Sequence, residues 1–247
     1  MMKLFKQIRH GLIDKTGKPA LPTGRYLKYA LGEIFLVVIG IWIALQINNW
    51  NEYRKERIVE RTILTNIKDA LISDLENTFK SQLNNTRETL LATETILPAF
   101  ENKQIVKDSI KYAYLISVRN FNPMTIPYKF LESKGFDVIQ NEQLKFAISK
   151  IYDLEYSNIV YMLNNYHENI NSYARPYVRE NFQFRRYGLP LSERYIPFDH
   201  SKLFQDPQFL NIATTLNTNN RILLNFLLDT ATEVKKLITM IEEELEK

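Results

Sequence analysis

The chain reads as an all-α protein: one N-terminal transmembrane helix continuing into a long stalk helix, then an antiparallel extracytoplasmic helical bundle. Three observations predict it. Residues 29–47, YALGEIFLVVIGIWIALQI, carry a single charge, Glu33. At 1.5 Å per residue they reach about 28 Å, close to the hydrocarbon thickness of a bilayer. Turn-formers are scarce, with 7 Gly and 9 Pro in 247 residues and neither type between Ile41 and Leu97. Beyond residue 60, apolar side chains recur every three or four positions, the spacing of one helical face.

The segment before the span, residues 1–28, holds seven Lys and Arg (Lys3, Lys6, Arg9, Lys15, Lys18, Arg25, Lys28) against one acid, Asp14. Its net charge is +6, and the whole chain's is +4, so the remainder carries −2. Basic charge crowded before a first span holds that side in the cytoplasm. Residues 1–28 are therefore expected to be a basic cytoplasmic segment, 29–47 an inner-membrane helix and 48–247 an extracytoplasmic domain. A body of net negative charge lacks the positive field that displaces counterions from phosphate backbones, so nucleic acid is not an expected partner. A cleaved signal peptide is disfavoured, because 28 leading residues are long for such a segment and Ala44, Leu45 and Gln46 offer no small-x-small cleavage site.

Within residues 3–13, Leu4, Phe5, Ile8 and Leu12 fall at helical spacing between Lys3, Lys6 and Arg9. That pattern suits a short basic helix on an anionic membrane surface and equally a frayed tail. Residues 15–24, KTGKPALPTG, read as a loop. In the span, Glu33, Gly40, Ala44 and Asn51 fall on one side of a helix of 3.6 residues per turn. Glu33, Gly40 and Ala44 form a candidate helix-contact face, since small residues admit a close neighbour and an intramembrane carboxylate seeks a partner. Glu33 snorkelling beside Lys28 and Arg25 accounts for the same residues without a contact.

The stretch GEIFLVVIGIWIALQINNWNEYRK, preceded by Tyr26-x-x-Tyr29-Ala30, resembles an uncharacterised family of membrane proteins common in Bacteroidota. A weaker likeness recurs over residues 130–152, FLESKGFDVIQNEQLKFAISKIY, and Trp42 replaces the smaller aliphatic residue expected there. The resemblance implies an anchored envelope protein and no reaction.

After the span a helix of up to 57 residues, Ile41 to Leu97, is permitted, with Leu64, Ile67, Leu71, Leu75, Phe79 and Leu83 inward and Asp69, Asp74, Glu76 and Lys80 on solvated faces. Trp50 and Tyr53 follow the span where aromatic rings meet headgroups. Pro98 and the following ENK, residues 101–103, should stop or turn the chain before a short helix at about 105–119. Gly135 is placed to cap a helix. Asn141 opens a long helix with the stripe Leu144, Ile148, Ile151, Ile159, Met162, Tyr166, Ile170 and Tyr173, which Pro176 should kink or end. Residues 185–207 look irregular. Asp206 and Pro207 form an N-cap and first-turn proline for a last helix of about 39 residues, with Phe209, Ile212, Leu216, Leu223, Leu227, Val234, Ile238, Ile241 and Leu245 on one face.

Chemistry is sparse. There is no cysteine, and His10, His167 and His200 lack metal-ligand spacing. No nucleophile elbow or phosphate loop occurs, so neither enzyme activity nor a cofactor or metal is expected. One ligand or partner patch stands out at residues 173–195, where Arg175, Arg179, Arg185 and Arg186 interleave with Tyr177 and Tyr187. Guanidinium forks and aromatic faces suit anions, sugars and protein contacts. Rings capping the end of the bundle and arginines paired with acids such as Glu180 would explain it equally well. The expected role is a membrane-anchored interaction or scaffold protein of the envelope, touching membrane lipid and either an envelope protein or a second copy. The alternatives are an extracytoplasmic small-ligand sensor and an accessory subunit of an ion-coupled complex using Glu33.

Overall fold

The computed structural model describes residues 23–187 and 192–247. The basic helix expected at 3–13 and nearly all of the loop expected at 15–24 lie outside them. The chain is mostly helical, 83%, and divides into two compact units, Met1–Ile58 and Val59–Lys247.

Helix α1, Thr23–Ser73, contributes to both units. In the first unit its apolar side chains point outward: Leu31, Ile34, Phe35, Leu36, Val37, Val38, Ile41, Trp42, Leu45 and Ile47 are all exposed. This helix is long and apolar enough to cross a membrane. Trp50 and Tyr53, further along the same helix, are also exposed.

In the second unit the pattern inverts. Ile63, Leu64, Ile67 and Leu71 of α1 are buried, and the helical path runs on through a π turn, Asp74–Phe79, into α2, Lys80–Glu101. A loop and a 3₁₀ turn, Ser109–Ile116, lead to α3, Ile126–Lys134, which ends at Gly135 with φ 90°. A side chain there would strain the backbone, so glycine suits this cap. Asn141 caps α4, Glu142–Ser149, by accepting the Gln143 and Leu144 amides. Then come a π turn, Lys150–Glu155, α5, Tyr156–Asn169, a third π turn, Ile170–Ala174, and α6, Arg175–Asn181. Strands β1, Phe182–Tyr187, and β2, Ser192–Pro197, pair antiparallel, with Phe184 opposite Tyr195 and Arg185 opposite Arg194. Helix α7, His200–Leu203, precedes α8, Pro207–Glu246, where Asp206 accepts the Gln208 amide as N-cap.

The three π turns fit the spacing of the buried residues. A helix of 3.6 residues per turn overshoots by about 40° at every step of four. The inward positions Ile67, Leu71, Leu75, Phe79 and Leu83 step by four across the first π turn; Ile148, Tyr152 and Tyr156 do so across the second, and Tyr166, Ile170, Ala174 and Val178 across the third. A π turn holds more residues per turn and brings the drifting stripe back onto one face.

Two apolar clusters fill the second unit. One joins α1, the first π turn, α4, α5 and the C-terminal half of α8 through aliphatic residues such as Leu71, Ile148, Leu227 and Val234. The other is richer in rings: Tyr112, Tyr177, Phe182 and Phe209 meet with centroids 5.1–6.4 Å apart. Between them on α2 and α8 lies a buried polar band. Thr86, Thr89 and Thr93 donate to carbonyls four residues back, Asn220 donates to the Tyr166 hydroxyl at 3.1 Å, and Asn217 donates to Thr93 Oγ1 at 3.0 Å. The Asn217 to Thr93 bond crosses from α8 to α2 and helps fix which of their residues face each other, because a slip would break it.

Several expectations need correction. The fold is not wholly α: residues 182–187 and 192–197, part of which falls in the stretch expected to be irregular, form a hairpin, because aromatic residues alternate with polar ones along it. Helix α2 ends at Glu101, within the stretch of Pro98 and the following ENK expected to stop or turn the chain, and Pro176, expected to kink or end its helix, does not end it but sits in the first turn of α6, directly after the third π turn. The helix expected at 105–119 is a 3₁₀ segment of eight residues. Asp74 is buried, not solvated, and Tyr173 at the end of its stripe is exposed.

Candidate functional site

The arginine and tyrosine patch resolves into different environments. Tyr177 is buried, and its hydroxyl donates to Asp206 Oδ2 at 2.7 Å, the same carboxylate that caps α8. Burial pushes its phenol above the ordinary range, and Asp206 adds to the shift. It is therefore a structural tie between α6 and α8, not part of an open patch. Arg185 and Arg186 sit on β1, where the Arg185 guanidinium donates to Gln183 Oε1 at 2.8 Å and Arg186 lies 5.9 Å from the centroid of the Phe184 ring. Neither lines the cleft formed by Arg175 and Arg179. The side chain of Tyr187 is outside the described residues.

Arg175 and Arg179 do converge, with a third arginine that the sequence did not single out. A cleft of about 760 Å³ opens between the 3₁₀ turn, the extended stretch after it, α6 and β2; Arg119, Arg175 and Arg179 line it together with Tyr114, Val178 and Tyr195. Arg175 and Arg179 share a helical face because they are four residues apart. Arg175 is steadied by donating to Asn171 Oδ1 at 2.8 Å. The main chain at Arg119 is tied down by His167 Nε2, 3.1 Å from its carbonyl oxygen. Among the described residues, none of these three guanidinium groups has a carboxylate partner at ion-pair distance. The Tyr114 phenol is raised first by burial and then by the nearby carboxylates of Glu88 and Asp108, with Arg119 pulling the other way. Arg119 was missed because it lies on a different element, far from residues 173–195, and a lone arginine after a short turn gives no local signal.

Glu33, Gly40 and Ala44, the expected helix-contact face, are all exposed, and a Cβ built on Gly40 would meet nothing within 4 Å.

A second titratable cluster is buried where the first two π turns lie. Asp74 accepts the Met124 amide at 2.8 Å and the Tyr156 hydroxyl at 3.1 Å. Its carboxyl is raised above the ordinary value of 3.8, burial outweighing both hydrogen bonds. Tyr152 stacks on Tyr128 with centroids 4.5 Å apart, and the Tyr128 hydroxyl donates to Asp153. Burial raises all three phenols. Enclosed on all sides, Asp74 and its phenols bind parts of the fold to each other. Among the described residues no three His, Asp or Glu side chains group as metal ligands would.

Compared with known proteins, residues 33–183 match the model of a family of unknown function, DUF6090. No curated protein and no solved structure matches the chain.

Proposed function

Because the chain belongs to this family of unknown function, by a match over more than half its length, we propose its role from its build: a membrane-anchored helical interaction protein of the cell envelope. Residues 29–47 hold it in the inner membrane with the N-terminus cytoplasmic. The rest forms an antiparallel helical bundle on the extracytoplasmic side. Within the bilayer the face of Glu33, Gly40 and Ala44 meets a second helix, from an envelope protein or another copy of the chain.

The observation that carries this reading is the sheath of exposed apolar side chains from Leu31 to Ile47. In water such a surface is unfavourable by about 25 cal/mol per Å², and in hydrocarbon the cost disappears. The excess of Lys and Arg in residues 1–28 supports the orientation. The bundle reading is supported by cross-pairs that run in opposite chain directions, Lys68 with Glu242 and Glu94 with Arg221.

The chain has no cysteine, which makes the contact face directly testable. In native membranes, Ala44→Cys should form a crosslinked adduct with a bismaleimide or an oxidant, while Ile43→Cys, about 100° away on the helix, should not. Strictly monomeric protein with both variants would overturn a contact with another copy of the chain.

A further inference from the structure

We propose that the cleft lined by Arg119, Arg175 and Arg179 binds a small organic oxyanion, a phosphate monoester or carboxylate carried on a ring. This stands independently of the anchoring role, since every residue of the cleft belongs to the second compact unit.

Three features meet there. First, positive charge from two separate elements is concentrated in one concavity, and among the described residues no carboxylate pairs with it at ion-pair distance. Surface arginines commonly pair with acids, as Arg221 does with Glu94 at 2.9 Å; three that share a cleft without such a partner present their donor forks to whatever enters. A guanidinium binds phosphate or carboxylate through two parallel hydrogen bonds, and low-dielectric walls strengthen each one. Second, the cleft is held in shape. Arg175 is fixed on Asn171, the Arg119 carbonyl is tied by His167, and Val178 beneath them is buried in the aromatic cluster. Less ordering is then required when a ligand arrives. Third, apart from Ser117 the remaining lining residues are apolar or aromatic, among them Ile110, Ala113, Tyr114, Val178 and Tyr195. About 760 Å³ lies within the range that encloses small ligands. A ring against the tyrosines with its anionic group among the guanidiniums satisfies both kinds of surface.

The test uses the full chain in neutral detergent micelles and isothermal titration with phenyl phosphate, benzoate and, as the uncharged control, benzyl alcohol. Saturable binding of phenyl phosphate or benzoate, weakened at least about tenfold by Arg175→Gln with Arg179→Gln and by Arg119→Gln alone, is the expected result. Which of the two binds more tightly separates a phosphate site from a carboxylate site. Arg87→Gln, an exposed arginine outside the cleft, should leave binding unchanged. Circular dichroism melting of each variant guards against misfolding, and Arg119→Gln, on an exposed side chain, serves if the double variant fails to fold. Absence of saturable binding by both anions, or binding that Arg119→Gln leaves intact, would overturn the site; equal binding of benzyl alcohol would reduce it to an apolar crevice.

Discussion

The two halves of helix α1 use the same residue types in opposite ways. Around Leu36 and Val38 the apolar side chains are 71% and 56% exposed, whereas Leu64, Ile67 and Leu71 are completely buried. Helical propensity does not separate the two stretches; periodicity does. Residues 29–47 are apolar on every face, so no single neighbour could cover them, while after residue 60 the apolar positions collapse to one stripe with Arg61, Thr65 and Asp69 between. An all-round apolar surface requires an apolar solvent, and a striped one requires only a packing partner. On the proposed anchoring role, one continuous helix is written for two solvents.

The sharpest way to break this comparison is to put charge into the first region. Val37→Arg with Val38→Arg places two cations near the middle of the span, costing about 5–7 kcal/mol on an insertion scale. The fraction of chain in the membrane pellet should drop severely, while the melting of the second unit stays as it was. A matched truncation gives the next largest effect. Leu227→Ala, at a fully buried site, should destabilise the second unit by about 2–5 kcal/mol in chemical denaturation. Leu36→Ala should change it by less than about 0.5 kcal/mol. If the two truncations cost the same, the contrast between the regions fails.

Smaller effects probe how the second unit holds its polar groups. Asp206→Ala removes a helix cap and strands the buried Tyr177 hydroxyl, for a loss of about 2 kcal/mol by denaturation. Asp74 gives a pH signature. Its carboxyl is raised above 3.8 in the folded protein, so the folded state binds that proton more tightly than the unfolded one. The group's contribution is fully favourable below pH 3.8 and is lost as pH rises through the raised value. Asp74→Asn can still accept the Met124 amide and removes the linkage, so the melting temperature of the variant relative to the parent should climb as pH rises above 3.8 and then level off. Parallel profiles would show that Asp74 titrates normally.

Tyrosine ionisation extends the pattern to alkaline pH. Burial pushes the Tyr112 phenol up to about 12, and its stabilising contribution is present below pH 10.0 and lost as pH rises through the raised value. Ultraviolet titration should therefore show a late group of tyrosines that ionise together with unfolding.

Most of the helical frame was legible because its signals are local. Asn141 and Asp206 announce their helices by type and position, Gly135 announces its cap, and the stripe of α8 follows the buried residues from Phe209 to Ile241. The run of four-residue steps from Ile67 to Leu83 also contained the π turn, although such spacing on its own is equally compatible with an unbroken α-helix. What stayed hidden depends on partners distant in the chain. Asp74 falls on a face that periodicity assigns to solvent, and it is enclosed by Met124 and Tyr156. Arg119 joins Arg175 and Arg179 through packing of the 3₁₀ turn against β2. In the hairpin, the alternation of Phe182 and Phe184 with Gln183 and Arg185 was overshadowed by the density of arginine and tyrosine.

The most direct test is to wash native membranes holding the full chain with alkaline carbonate, which strips peripheral proteins, and to follow the chain by immunoblot. Retention in the pellet, with release only by detergent, is the predicted result; recovery in the carbonate supernatant would contradict a helix seated in the bilayer.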